Sequence, residues 1–287
     1  MSDTAGSKIR SRRSFIFMPG LKPEMFPKAA ASGADIVCID LEDAIAPQHK
    51  DQARASTVAL FTELPAHEGV EVIVRVNCTR TAEGLADLGA LLAAEAPWPA
   101  IMLPKVKSPG EVRGVAEMLD EYGLDTRLHV IIETNAGLEA AYEIAGCSER
   151  IEAMFFGGVD MAADLRCRND WSSLLYARSR VVHAAAGAGL DVIDVPYLDL
   201  DDLDGMRTEA EHAAALGFSG KGSIHPKQIP ILNDVFSPDA DTIAYAEKVV
   251  AAFATADSGL VVVDGKLIEK PVLRTAHRIL AVAGKGA

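Results

Sequence analysis

Short apolar runs and helical stretches alternate along almost the whole chain, and this alternation restricts the fold more than any other feature. The runs cover residues 14–18, 36–39, 72–76, 100–103, 128–132, 153–156, 191–194 and 218–224. Each is four to seven residues long and most are largely apolar, the pattern of a strand buried on both faces of a parallel sheet. Helical patterns lie between them, at about 23–31, 47–60, 81–94, 135–145, 172–188 and 201–216, and another starts with Ser108 as N-cap and Pro109 at its first position. Leu138, Ala141, Tyr142 and Ala145 are the expected inner face of the 135–145 helix. Eight such units with no tight hairpin among them predict a closed (β/α)8 barrel. An open doubly wound sheet would be expected to carry a glycine-rich turn after its first strand, but Pro19-Gly20-Leu21 stands there and no G-x-G-x-x-G occurs anywhere.

The pattern changes near the C-terminus. A helix is expected over 239–253. Residues 260–263 and 266–268 then flank Asp264-Gly265, a hairpin signal, and a last helix spans about 271–283. The expected division is a flexible tail over 1–12, the barrel over 13–237, and a lid or oligomerisation extension over 238–287. The chain has 287 residues, enough for one such barrel.

Net charge is −13, which argues against nucleic acid as a partner and requires a local basic patch for any polyanionic ligand. No window approaches 18 apolar residues, so no transmembrane helix is expected. Cys38, Cys78, Cys147 and Cys167 form no C-x-x-C pair. That usage suits a reducing, cytoplasmic setting, with Cys38 a small buried hydrophobe.

In a parallel barrel the chemistry gathers where strands end. The exits here carry Asp40, Glu42 and Asp43 after the second strand, Arg75 and Asn77 after the third, Lys105 after the fourth and Glu133 after the fifth. Asp160 and Asp164 follow the sixth, and Ser223 and His225 the eighth. Glu133 and Asp160 end consecutive apolar runs 27 residues apart and should meet at one mouth, where two carboxylates suit a hard divalent cation, Mg2+ with Mn2+ as an alternative. Arg75 can polarise a carbonyl or steady an enolate, and equally can pair with Glu42 or Asp43. Lys105 lines the mouth. His225, before Pro226, is either a general base or a turn residue.

Seven stretches resemble the citrate lyase β-subunit-like proteins and the malyl-CoA and citramalyl-CoA lyases of the HpcH/HpaI aldolase superfamily. They are Arg13-Ser14-Phe15-Ile16-Phe17-Met18-Pro19-Gly20, Asp40-Leu41-Glu42-Asp43-Ala44, Arg75-Val76-Asn77, Leu103-Pro104-Lys105, Ile132-Glu133-Thr134, the run Gly157 to Leu165, and Gly222-Ser223-Ile224-His225-Pro226. The resemblance implies a TIM barrel, Mg2+ on Glu133 and Asp160, substrate contact by Arg75, and making or breaking of a C–C bond beside an acyl thioester. Gly265-Lys266-Leu267-Ile268-Glu269-Lys270-Pro271 resembles the lid with which one subunit of those lyases covers its neighbour's site. It implies an acid at Glu269, where the family pattern has Asp, and a homotrimer or hexamer. Arg166 and Asn135-Ala136-Gly137 depart from the family pattern near the metal strands.

The expected function is therefore a Mg2+-dependent lyase. It would cleave or form a 3-hydroxyacyl-CoA such as malyl-CoA or citramalyl-CoA, giving acyl-CoA and a 2-oxo acid. Catalytic candidates are Arg75, Glu269, Glu42, Asp43 and Lys105. Among the basic residues near the first strand (Arg10, Arg12, Arg13, Lys22, Lys28), Arg13 and Lys22 are the candidate contacts to CoA phosphates. The alternatives are a citrate lyase β subunit acting on a carrier-protein thioester, a pyruvate aldolase using no thioester, and a non-catalytic metal-binding scaffold.

Overall fold

The computed structural model describes residues 10–63, 69–94, 98–256 and 259–284. Eight parallel strands close into a barrel in sequence order, with β8 pairing back onto β1. They are β1 (Ser14–Pro19), β2 (Ile36–Asp40), β3 (Glu71–Arg75), β4 (Ala100–Leu103), β5 (Arg127–Ile132), β6 (Ile151–Phe156), β7 (Asp191–Asp194) and β8 (Gly220–Ser223). No helix among the described residues is long and apolar enough to cross a membrane.

Alternation along the strands decides what fills the barrel. Phe15, Ile36, Cys38, Ile73, Ala100, Met102, Ile131, Ala153, Phe155 and Ile193 form one buried cluster, so every other residue of a strand points inward. Two positions further along β2 and β3 stand Asp40 and Arg75, and two past Ile131 stands Glu133. The same period that buries the oil therefore aims these three charges into the mouth.

The other end of the barrel is also charged. Two positions before Ile73 and Ile131 come Glu71 and His129, both buried. The Arg12 guanidinium donates to Glu71 through Nε (2.7 Å) and Nη2 (3.1 Å), to Asp191 through Nη1 (3.0 Å), and to Glu152. His129 Nε2 stands 3.0 Å from Glu71 Oε1, though not in line for a hydrogen bond. Ligand atoms of Glu71, His129 and Glu152 lie close enough together to hold a cation, but the guanidinium already rests on both carboxylates.

Arg12 was expected to belong to a flexible tail. It is instead 8% exposed and anchors the barrel floor, a role that depends on acids 59 to 179 residues away. Burial alone would raise the Glu71 carboxyl, but the adjacent His129 and the Arg12 guanidinium outweigh that and hold it well below the usual range. Breaking a buried pair of this kind costs about 3–5 kcal/mol. Arg12→Met should lower urea-unfolding stability by roughly that amount at neutral pH. Because Glu71 titrates lower when folded, its contribution is complete above the unfolded carboxyl value and fades as pH falls toward the folded one. The difference between variant and parent should accordingly shrink in acid, and a pH-independent difference would contradict this account.

The barrel unit runs from Arg12 to Asn233, and a second unit begins at Asp234, a few residues before the expected boundary. In the second unit, helices Ala240–Ala254 and Lys270–Val282 pack with β9 (Leu260–Val263) and β10 (Lys266–Glu269). Asp264 (φ 48°) and Gly265 (φ 76°) make the hairpin turn, as the Asp-Gly pair predicts. Val263 and Ile268 face this unit's core, while the cross-strand pair Val262 and Leu267 is exposed on the opposite face at 68% and 64%.

One helix differs from expectation. Residues 135–145 form two short helices, Asn135–Glu139 and Ala141–Ala145, joined at Ala140. The break turns Tyr142 outward, where it is exposed and stacks on His183 at 5.3 Å.

Candidate functional site

The mouth is built around Arg75. Its Nε and Nη2 each donate to one oxygen of Asp40 at 2.7 Å, a two-pronged pairing set by the direct opposition of Asp40 and Arg75 on β2 and β3. The same Asp40 carboxylate accepts from the backbone N–H groups of Glu42 (2.9 Å) and Ala44 (3.0 Å). The guanidinium also lies over the Phe17 ring, 4.7 Å from its centre. Its remaining nitrogen, Nη1, faces Glu42 Oε2 at 3.3 Å and Asp43 Oδ2 at 4.0 Å. Burial would lower the Arg75 pKa, but the bond and charge of Asp40 raise it further above its ordinary value, so the cation is permanent.

Lys105 is the second cation. Its ammonium donates to Glu42 Oε1 and stands 3.6 Å from Asp43 Oδ1, and those acids outweigh burial and raise its pKa. Its backbone is left-handed (φ 53°), a conformation that costs a non-glycine residue about 1 kcal/mol or more. That conformation lets the Lys105 N–H donate to Glu133 Oε1 at 2.8 Å, while Arg80 Nη2 donates to the Lys105 carbonyl at 2.9 Å. One residue thus holds two acids of the site, one by its ammonium and one by its main chain.

Glu133 is 3% exposed. Burial first, then the charges of Glu42 and Asp160, push its carboxyl up to about 8. Its side chain lies on Gly157, where an added Cβ would stand 2.5 Å from Glu133 Cβ. Asp160 sits in the first turn of helix Gly158–Leu165, four residues beyond the end of β6. Asp164, further along that helix, accepts from the Asn135 N–H and so ties the β5 and β6 exits together.

Five carboxylates (Asp40, Glu42, Asp43, Glu133 and Asp160) therefore share one mouth with two cations, Arg75 and Lys105. The donors are oxygens, the charge is in deficit, and the buried Glu133 resists ionising. This is the arrangement that a hard divalent ion relieves.

Other candidates lie elsewhere. Arg13 precedes β1, at the end of the barrel away from the mouth, and its guanidinium grips Asp35 through Nε at 2.9 Å and Nη2 at 2.8 Å. It is an ion pair at the start of β1. Lys22 follows the C-terminal end of β1 and is exposed on the mouth side. His225 Nδ1 accepts from the Lys227 N–H (3.1 Å) and caps a short turn, and Ser223 Oγ donates to the Phe15 carbonyl (3.0 Å). His225 thus caps a turn, and Ser223 ends β8. Glu269 belongs to the second unit, exposed at the N-cap of Lys270–Val282 with no capping bond.

Two residues went unassigned in the sequence. Asp40 was seen at a strand exit, but its role as the Arg75 clamp needed the β2–β3 register. Asn77 was seen likewise. Its Nδ2 donates to Asp87 (2.7 Å) and to the Leu41 carbonyl (2.9 Å), so it braces the loop after β2. No local pattern signals that.

Residues 13–226 match the HpcH/HpaI aldolase/citrate lyase family. The chain is 37% identical to a (3S)-malyl-CoA thioesterase of Cereibacter sphaeroides over 94% of both proteins. It is 34% identical to the citrate lyase subunit beta of Escherichia coli K12, over 96% of this chain and 94% of that one. Among solved structures it is similar to the protein CitE of Mycobacterium tuberculosis in complex with magnesium, acetoacetate and coenzyme A. That likeness has a TM-score of 0.76 and 32% identity, covering 94% of this chain and 97% of the other. RipC of Yersinia pestis gives a TM-score of 0.69 at 35% identity, covering 82% of this chain and 99% of that one.

Proposed function

The chain belongs to the HpcH/HpaI aldolase/citrate lyase family, and from that premise we propose that it is a Mg2+-dependent lyase acting on a 3-hydroxyacyl-CoA with a carboxylate on the hydroxyl carbon, such as malyl-CoA or citramalyl-CoA. The observation that carries the reading is the buried Glu133, crowded by the charges of Glu42 and Asp160 and held by the Lys105 N–H. Glu133 and Asp160 would hold the ion, which when bound supplies positive charge to the substrate's carboxylate and hydroxyl oxygens. The magnesium, acetoacetate and coenzyme A complex of the similar CitE supports this assignment.

The remaining residues divide the work. Arg75, clamped by Asp40, presents Nη1 as fixed positive charge toward the forming 2-oxo acid. Glu42 is placed to take the hydroxyl proton, with Lys105 and Arg75 holding its two oxygens and Asp43 reinforcing both cations. As that proton leaves, the C–C bond breaks and its electron pair passes to the acyl thioester as an enolate. Glu269, delivered by the hairpin of a neighbouring copy in a trimer or hexamer, protonates the enolate. Lys22 contacts the CoA phosphates.

The experiment is a panel of malyl-, citramalyl- and 3-hydroxy-3-methylglutaryl-CoA with Mg2+, reading acyl-CoA together with a 2-oxo acid from the first two and a 3-oxo acid from the third. Release of free thiol with an intact hydroxy acid would instead indicate thioester hydrolysis, the activity named for the Cereibacter relative. Turnover only on a carrier-protein thioester would favour the citrate lyase β role, and turnover of free pyruvate aldols the aldolase role. No turnover on any of them would leave the scaffold reading. On the productive substrate, Lys22→Ala should raise KM severalfold, more so at high salt. Glu269→Gln should keep KM and lose most of kcat. Mixing Glu269→Gln with inactive Glu133→Gln subunits should restore activity if the acid comes from a neighbour. No restoration after proven exchange would remove Glu269 from that role.

A further inference from the structure

Glu42 and Asp43 sit on an irregular loop, residues 41–46, between β2 and the next helical turn. Such a loop would ordinarily be the most mobile part of the mouth. Here it is tied from two sides. The Asp40 carboxylate receives two of its N–H groups from the barrel side. From the other side comes Lys50, the first residue of helix Lys50–Glu63. Its ammonium donates to the Leu41 carbonyl (2.7 Å), the Glu42 carbonyl (2.6 Å) and Asn77 Oδ1 (2.6 Å).

Those three bonds use all three donors of the ammonium. Among the described residues, Lys50 makes no ion pair with a carboxylate. The preference is unusual for a lysine beside so acidic a mouth, and it has a geometric reason. The bonded oxygens belong to the loop's main chain and to Asn77, the residue two past Arg75 that is itself locked to Asp87. Lys50 therefore fastens the segment carrying Glu42 to the segment carrying Arg75.

We propose that Lys50 is a positioning residue of the reaction. Its ammonium sets the main chain at Leu41 and Glu42 so that the Glu42 carboxylate reaches Arg75 and Lys105 together, and it touches no substrate. The inference rests on the function proposed above for its catalytic consequence, though not for its structural one.

Two measurements separate these. Hydrogen exchange of the 41–46 amides, read by mass spectrometry, should quicken at least tenfold in Lys50→Met while the β4 to β6 amides keep parental rates. On the active thioester, kcat should fall at least tenfold with KM within twofold. Lys50→Ala, which leaves room for a small amine, should regain activity with ethylammonium and not with tetramethylammonium, which has no N–H to donate. General loss of stability would speed exchange everywhere and would not tell the two cations apart. Unchanged loop exchange in Lys50→Met, or kcat within twofold of the parent, would overturn the proposal. So would no response of Lys50→Ala to ethylammonium. If the parent protein turns over no thioester, the proposed function fails, and the exchange experiment still decides whether Lys50 sets the loop.

Discussion

Glu133→Gln is expected to lose at least a hundredfold to a thousandfold in turnover, roughly 3–4 kcal/mol of barrier at 1.36 kcal/mol per tenfold. The amide has the same shape, and its oxygen can still accept from the Lys105 N–H, so the mouth should keep its geometry. What goes is the charge that an ion requires. Stability should move the other way. In the metal-free protein the folded Glu133 carboxyl is raised to about 8 by burial and by Glu42 and Asp160. The favourable protonated form is fully present below the unfolded carboxyl value and is lost as pH rises through about 8, so metal-free protein should weaken over that window. Mg2+ should restore the loss in the parent protein. Glu133→Gln should melt at a temperature insensitive both to this pH window and to Mg2+ or EDTA. Parental turnover in EDTA would refute the assignment of Glu133 as a ligand.

Gly157→Ala should cost on the order of a hundredfold in kcat although it adds one methyl group and removes nothing, about two steps of 1.36 kcal/mol. Backbone freedom is not at issue, because Gly157 has φ −94° and any residue can adopt it. Space is the issue. The new carbon would lie 2.5 Å from Glu133 Cβ, which is fixed to the main chain just past β5 and cannot swing aside like the end of a long side chain. Glu133 must move as a whole, out of the place where it meets the Lys105 N–H. Overpacking of this kind costs about 1–3 kcal/mol of stability, so the variant should still fold. Gly114→Ala is the control, since a Cβ there meets nothing within 4 Å and the position lies inside helix Pro109–Glu121. It should be neutral or mildly stabilising. Activity near the parent's in Gly157→Ala, with Mn2+ affinity unchanged, would show that Glu133 has slack that the packing denies.

The barrel was legible in the sequence because each strand announces itself locally. An apolar run such as 128–132 needs no partner to be recognised, and its exit residue follows from counting. Arg75, Glu133, Glu42 and Lys105 could be named for that reason. The pairing of Arg75 with Glu42 or Asp43 could be named as well, but not its clamp on Asp40. Asp40 meets Arg75 only through a parallel register across 35 residues, and Arg12 reaches Asp191 across 179. A basic stretch before the first strand shows no ion-pair partners until the acids that the barrel brings beside it are known, which is why the pairings of Arg12 and Arg13 were not foreseen. The left-handed Lys105 was hidden for another reason: lysine carries no signal for that conformation, and bonds from Arg80 and to Glu133 sustain it.

The barrel interior alternates from end to end: an ionic floor around Arg12, a band of oil from Phe15 to Ile193, and an ionic mouth around Arg75. The oil stands between the two ionic groups. Substitutions at floor and mouth should then combine without epistasis, each free energy simply adding to the other. For a lineage under selection, that separation lets the two ends drift on independent schedules. A gain in robustness won at the floor becomes slack in which the mouth can try new substrates.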